Sequence, residues 1–447
     1  LTHIKNLLGK HQNINNIAMK LNSLNPSAYL ESLNVDKMRF GLKSIRALLS
    51  HLGSPQKSYK TILIGGTNGK GSTAAMTASI LHSAGYKVGL YTSPHLVDVR
   101  ERIAINGKKI SRKEFERTIA YVKNRMLQPV TYFEFLTAVA FVHFQNQNID
   151  IAVLEVGLGG RLDATNVCNP LVSIITNIGF DHTGYLGDTL ESIACEKAGI
   201  IKQNGVCLTA ATQNKVVKVF KEACLRRHAK LCRLGRDIKI KIQKDGLFTY
   251  QGFNHHLKNI KIPLRGHHQL SNAALALAAI ELCENKGFIV DDVAIYAGLE
   301  NTCWEARLEV LQENPVFLLD GAHNPSGIDS LCRSLKKDFS YRNLILIFGA
   351  LADKDYKAML KKIIPFASRI IVTNIKTKRA VPAIELMAVV KKMGYPAIVA
   401  ENVSHAIERA MALAKKQDMI CATGSFYLAG EIKQAFPKRA LCDNKKS

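Results

Sequence analysis

An apolar run that ends in a glycine-rich, lysine-bearing loop constrains this chain more than any other feature. Residues 62–73 read Ile-Leu-Ile-Gly-Gly-Thr-Asn-Gly-Lys-Gly-Ser-Thr. The glycines let the backbone turn tightly enough for successive N–H groups to face a phosphate. Lys70 supplies a point charge for the β- and γ-phosphates, and a helix expected to start near Ser72 turns its positive end toward the same anion. The spacing Gly66-x-x-Gly69-Lys70-x-Ser72 is shorter than the general Gly-x4-Gly-Lys-[Ser/Thr] loop. Strand, loop and helix in this order predict a nucleotide-binding α/β unit.

Strand-like and helical segments alternate along most of the 447 residues, the mark of a doubly wound α/β fold. Strands are expected at 61–65, 87–91, 151–156, 171–177 and 205–208, with helices at 72–84, 133–145 and 190–200. Residues 230–265 carry short alternating runs and Gly turns, which predict a small antiparallel insert. A helix over 271–283 and a break near 298–307 precede a second alternating series, with strands at 316–319, 344–348, 370–373, 397–400 and 419–422. Two units follow, 1–300 and 301–447: an N-terminal P-loop-type nucleotide-binding domain with its insert, then a C-terminal Rossmann-like α/β domain.

No apolar run approaches the roughly 18 residues that a membrane span needs, so no membrane partner is expected. The first 25 residues lack the uninterrupted apolar core of a secretory signal. Ten cysteines without a Cys-x-x-Cys suit a reducing, cytoplasmic setting better than a disulfide framework. The net charge of +25 fits nucleic-acid binding, steering of small polyanions such as ATP and polycarboxylates, or a lysine-rich solvated surface. No recognised nucleic-acid module accompanies it. The basic tail at 437–447 is expected to be disordered.

Four further constellations carry chemistry. Glu155 ends an apolar strand and would sit at the carboxyl edge of the sheet beside the phosphate loop, placed to ligate Mg²⁺. The run from Ser173 delivers Asp181 and His182 to the same edge, where His182 would ligate a second ion and Asp181 would fix its tautomer. Lys197, in a helix's last turn, reads as an exposed dipole-complementing charge. Asp320, His323 and Asn324 leave a second-series strand and suggest the far wall of a cleft. Cys224, His228 and Cys232 would share one face of a helix, but a fourth zinc ligand is missing.

Taken together, the motifs resemble the folylpolyglutamate synthase and dihydrofolate synthase family of the Mur ligase superfamily over about residues 28–435. They are Gly-Thr-Asn-Gly-Lys-Gly-Ser (66–72), Ser-Pro-His-Leu (93–96), Glu-Arg-Ile-x-Ile-Asn-Gly (101–107) and Thr-x-Phe-Glu (131–134). Glu-Val-Gly-Leu-Gly-Gly-Arg-Leu-Asp-Ala-Thr-Asn (155–166), Asp-His-x3-Leu-Gly (181–187), Glu-Lys-Ala-Gly-Ile (196–200), Asp-Gly-Ala-His-Asn-Pro (320–325) and Gly-Ser-Phe-Tyr (424–427) complete the set. The resemblance is closest to the bacterial bifunctional enzymes.

It implies an ATP-dependent ligase that joins L-glutamate to dihydropteroate and to folates through an acyl phosphate. By position, Thr67, Asn68, Gly69, Lys70, Gly71, Ser72, Asn272, Arg307 and Asp320 would bind ATP, with His323 alongside. Ser93, Glu155 and His182 would hold two Mg²⁺ ions. Phosphate-loop physics alone puts Ser72 on the metal; the resemblance keeps it on phosphate. Lys197 matches a carbamylated lysine, which overturns the reading from composition. Arg39, Phe40, Gly41, Leu42, Thr131, Tyr132, Phe133, Glu134, Leu162, Asp163 and Ala164 would contact the folate. Phe40 and Phe133 would sandwich the pterin, and Thr131 and Asp163 would read its polar edge. An assisting K⁺ ion and a monomeric state are also expected. One departure stands out: Trp304-Glu305-Ala306-Arg307 occupies the place of a Trp-Pro-Gly-Arg turn.

Overall fold

Strand β1 (Lys60–Gly65) is buried on both faces, as its apolar run dictates. Ile62 and Ile64 enter one core with Ile151, Val153, Val172 and Ile174, while Leu63 enters the other with Ala152 and Leu154. Double burial of this kind belongs to a central parallel strand. The computed structural model describes residues 29–30, 32–33, 41–243 and 246–436. Arg39, Phe40, the first 25 residues and the tail at 437–447 lie outside the described residues.

β1 is joined by β2 (Val88–Tyr91), β3 (Ile103–Ile105), β4 (Lys108–Lys109), β5 (Ile151–Glu155), β6 (Val172–Ile175), β7 (Val206–Thr209) and β8 (Lys230–Arg233). Their order is β4-β3-β2-β5-β1-β6-β7-β8, and only β3 runs antiparallel to its neighbours. Helices Lys43–His51 and Tyr132–Asn146 cover one face. Helices Lys70–Ser83, His268–Glu284 and Asp292–Glu300 cover the other. His268–Glu284 is buried almost all round, and its many alanines let neighbouring backbones approach closely.

The antiparallel insert is smaller than the sequence suggests. It comprises β9 (Lys239–Ile242), β10 (Phe248–Gln251) and β11 (His256–Ile260). Lys230–Arg233 instead pairs in parallel with β7, as the edge of the large sheet. Cys224 lies on the helix Asn214–Arg226, His228 follows it at φ +49° and Cys232 is in β8, so the three share no helical face. No metal-binding cluster of His, Cys, Asp or Glu occurs among the described residues.

A second sheet contains β12 (Glu309–Glu313), β13 (Val316–Leu319), β14 (Leu344–Phe348), β15 (Arg369–Thr373), β16 (Ile398–Ala400) and β17 (Met419–Thr423). Its order is β12-β13-β17-β14-β15-β16, with only β12 antiparallel. Among the described residues, no helix is long and apolar enough to cross a membrane. The described cysteines are free thiols except Cys303, which is disulfide-bonded.

Glu281 fastens the insert to the first unit. Its buried carboxylate accepts the Tyr250 hydroxyl at 2.6 Å and the N–H groups of Phe253 at 2.7 Å and Asn254 at 2.6 Å. Replacing it by alanine leaves the buried Tyr250 hydroxyl and two backbone N–H groups without their acceptor. Glu281→Ala should lower stability by about 3 kcal/mol, read as a shift of the urea midpoint. An unchanged midpoint would dismiss the anchor.

Candidate active site

The phosphate loop begins where β1 ends. Gly66 takes φ +133°, and a side chain there would run into Thr176. Gly69, at φ +83°, caps a helix that begins at Lys70, two residues before the expected start at Ser72. The left-handed glycine closes the turn early. The loop is pinned to the chain after β6: Thr67 N–H donates to Asn177 O at 2.9 Å and Asn68 N–H to Asn177 Oδ1 at 3.0 Å. Thr176 Oγ1 donates to Asn68 O at 2.6 Å. Lys70 Nζ donates back to Thr67 O at 3.1 Å. Asn272 lies so close over Gly69 that only glycine fits beneath it.

The carboxyl ends of β5 and β6 supply the next groups. Glu155 is 4% exposed and accepts the Ser93 N–H at 2.9 Å through Oε2. Burial pushes its carboxyl pKa up, and the Lys70 charge pulls it down. Lys197 is no surface charge. It is 6% exposed, and its Nζ donates to Gly66 O at 2.9 Å. Burial first, and the Lys70 charge second, lower its pKa to about 7. An amine in that state is about half neutral near pH 7, and its neutral form is nucleophilic.

Asp181 and His182 arrive as expected but do different work. Asp181 Oδ1 accepts His182's own backbone N–H at 2.9 Å and Lys354 Nζ at 2.6 Å. The His182 ring nitrogen Nε2 is 3.7 Å from that oxygen, beyond hydrogen-bond distance, and 3.1 Å from Lys354 Nζ. Asp181 therefore does not fix the His182 tautomer; it anchors Lys354. Burial alone would raise the Asp181 pKa, but His323, Lys354 and His182 hold it well below the carboxylate range. Burial, and to a lesser degree Lys354, lower His182 to about 4.

The second sheet closes the cleft from the other side. Asn324 and Asn68 exchange amide hydrogen bonds at 3.0 and 3.2 Å, and Asn324 also donates to Asp181 Oδ2 at 3.0 Å. His323 Nε2 stands 3.6 Å from Asp181 Oδ2, its ring tilted 4.9 Å from Phe426. The Asp320 carboxylate accepts the N–H groups of Leu308 and Ala322, both at 3.0 Å. Arg307 lies over Phe426 at 4.7 Å. Between the two walls is a cavity of about 650 Å³.

Thr67 to Ser72, Ser93, Glu155, His182, Lys197, Asn272, Arg307, Asp320 and His323 all line this cavity. Gly41, Thr131 to Glu134 and Leu162 to Ala164 line it as well. Leu42 does not; it packs against the first core at the start of the helix Lys43–His51. The Asp163 carboxylate accepts the N–H groups of Leu158 and Thr165 and the Thr165 hydroxyl, so it braces its own loop rather than standing free to read a pterin edge. Thr131 and Glu134 form a reciprocal helix cap, which leaves Oε1 of the cavity-lining Glu134 buried without a partner. Phe133 lies over Gly157 and 5.9 Å from the Tyr91 ring.

Sequence reasoning gave no role to three lining residues. Lys354 and Arg102 are buried cations. Gln269 is fully buried, and its Nε2 has no partner beside Asn272. The orphan donor could not be foreseen, but the Glu-Arg-Ile run already marked Arg102.

Comparison with known proteins agrees with this geometry. Residues 64–280 match the Mur ligase middle domain, and residues 306–426 match the Mur ligase, glutamate ligase domain. The dihydrofolate synthase/folylpolyglutamate synthase of Bacillus subtilis (strain 168) is 37% identical over 346 residues, 73% of this chain and 80% of that protein. Escherichia coli FolC in complex with DHPP and ADP superposes with a TM-score of 0.86 at 29% identity, covering 93% of this chain and 98% of that one. A bifunctional folylpolyglutamate synthase/dihydrofolate synthase with Mn, AMPPNP and L-glutamate bound superposes at 0.84 and 30% identity, with the same coverage.

Lys354→Met removes the ammonium that faces His182 while keeping the side chain's shape. The His182 titration midpoint, followed by NMR of its ring, should rise from about 4 because one of the charges that lowers it is gone. A midpoint that stays put would show that the Lys354 charge does not set it.

Proposed function

This chain belongs to the dihydrofolate synthase/folylpolyglutamate synthase family, and we propose that it joins L-glutamate to dihydropteroate and to folates that already carry glutamate. The observation that carries this reading is the convergence of the phosphate loop, buried Glu155 and near-neutral Lys197 opposite the Asp320–His323 wall in one cleft. A carboxylate is a poor acyl donor. Transfer of the γ-phosphoryl group of ATP to one carboxylate oxygen gives an acyl phosphate and ADP. The amine of glutamate then attacks the carbonyl carbon, the C–O bond to phosphate breaks, the amine loses a proton, and amide and phosphate are the products.

In this reading Thr67 to Ser72 cradle the nucleotide phosphates through backbone N–H groups and Lys70 neutralises them. Asn272, with Gln269 beside it, faces the rest of the nucleotide, while Arg307 and Asp320 approach from the second wall. The two walls hold the reacting anions together and keep water from the acyl phosphate. Gly41, Tyr132, Phe133, Glu134, Leu162 and Ala164 flank the pterin, with the free Glu134 Oε1 as an acceptor for its ring donors. Arg102 is placed to meet a substrate carboxylate.

The Ser93 hydroxyl and Glu155 carboxylate are hard oxygen donors beside the phosphate loop, and they fit one Mg²⁺. His182 fits a second only when negative charge joins it, because Lys354 and Lys70 are its cationic neighbours. Carbamylation of Lys197 supplies that charge: its neutral amine adds to carbon dioxide and releases a proton. When bound, the metals would neutralise the phosphates and the developing charge. An assisting K⁺ belongs to the same proposal. We assign residues 1–300 to the ATP-binding unit and 301–447 to the glutamate-binding unit. A cytoplasmic monomer that acts without nucleic acid completes the reading.

Lys70→Ala should lower turnover by about 100-fold or more through lost phosphate charge; near-normal turnover of a folded variant would refute the phosphate-loop assignment. The Lys197 amine is protonated below about pH 7, so at limiting carbon dioxide activity should rise as pH climbs through that value. Bicarbonate should restore activity on the acid side. Lys197→Ala should be nearly inactive and recover partly with acetate or formate. A pH profile indifferent to bicarbonate, with no rescue, would count against the carbamate.

Product analysis separates the two activities. With ATP and glutamate, both dihydropteroate and tetrahydrofolate should gain a glutamate. If only tetrahydrofolate is extended, the chain is a monofunctional folylpolyglutamate synthase.

A further inference from the structure

The turn that carries Arg307 has neither proline nor glycine, yet it adopts a backbone that glycine would favour. Ala306 takes φ +53° and Leu308 φ +47°, so left-handed residues flank Arg307 on both sides. A Cβ disfavours that region, and such residues persist only where their surroundings hold them. Ala306 is fully buried and held at both ends of its peptide unit. Its carbonyl accepts the Gly321 N–H and the Arg307 Nη1–H, both at 2.9 Å. Its N–H donates to Glu309 Oε2 at 2.8 Å.

Glu309 is itself fixed. Its other oxygen accepts Lys433 Nζ at 2.7 Å, and Lys433 also pairs with Glu305 at 2.9 Å. Lys433 stands near the end of the helix Phe426–Ala435, and that helix's first residue, Phe426, lies beneath the Arg307 guanidinium. One helix thus supports the turn through its last turn and the arginine through its first. Burial disfavours the charge on Lys433, but the two carboxylates hold its pKa above the ordinary value.

We infer that Glu309 and Lys433 are positioning residues that do with an ion-paired network what glycine does by freedom of rotation. They hold Ala306 in the left-handed conformation so that Arg307 enters the nucleotide side of the cleft. The inference rests on the reading of Arg307 as an ATP contact. Without Glu309 the Ala306 N–H is left unpaired in a buried turn, and the backbone relaxes toward right-handed or extended values. Arg307 then swings off its target. Misplacement of a binding group by about 1 Å can cost as much as 100-fold in rate.

Steady-state kinetics of four variants test this. Arg307→Ala sets the floor. Glu309→Ala should raise KM for ATP by about 10-fold or more, with KM for glutamate little changed. Ala306→Gly alone should stay within about two-fold of the parent, because glycine takes positive φ without help. Added to Glu309→Ala, it should recover most of the lost ATP affinity. A merely structural Glu309 would lower the melting temperature without this rescue. Should Glu309→Ala fail to fold, Lys433→Met with and without Ala306→Gly gives the same comparison. Wild-type ATP kinetics in Glu309→Ala, or no rescue by glycine, overturns the inference while Arg307→Ala remains impaired. Wild-type ATP kinetics in Arg307→Ala would instead refute the Arg307 reading and the inference with it.

Discussion

Cationic side chains taken out of water at the carboxyl edges of two sheets set the terms for the rest of this cleft. Lys197, Lys354 and Arg102 are each less than a tenth exposed, and Lys70 and Arg307 line the same cavity. Like charges at low dielectric repel strongly, so such a site gains by binding anions or by shedding protons. The depressed Lys197 and His182 values follow from that repulsion together with burial. Asp181 stays firmly ionised despite its burial because His323, Lys354 and His182 converge on it. Polyphosphates and carboxylates are the kinds of ligand that such a field attracts.

The parallel strands were legible because burial on both faces leaves unbroken apolar runs. β13 and β14 have the bounds that composition predicts. Segments with one solvated face were harder. Lys-Leu-Cys-Arg at 230–233 alternates like an antiparallel strand but is the parallel edge β8. Glu309–Glu313, with charged residues at both ends, falls outside the expected strands and is β12. In the site, residues on the phosphate loop and strand ends were found from local pattern. Asn324 and Lys354 meet their partners across 256 and 173 residues of chain, and no local pattern carries that information. Lys197 marks the limit from the other side: a lysine in a helix's last turn is usually exposed, and only tertiary packing, or family likeness, says otherwise.

The Asn68–Asn324 pair makes the cleft's geometry a property of both sheets. Two neutral amides exchange hydrogen bonds whatever the pH, and a small rotation of either amide breaks both bonds at once. Because Thr176 and Asn177 hold the other side of Asn68, the phosphate loop feels the position of the second wall directly. The phosphate loop and the second wall are therefore coupled through this one amide pair.

The chain contains a single tryptophan, Trp304. Its indole rests against Gly71, where a Cβ would meet the ring at 2.9 Å, and it sits three residues before Arg307. The protein therefore carries a built-in fluorophore at the joint between loop and hinge. Emission colour and quenching report its local polarity without a competing indole signal. Any change at this joint can be followed in the unlabelled molecule.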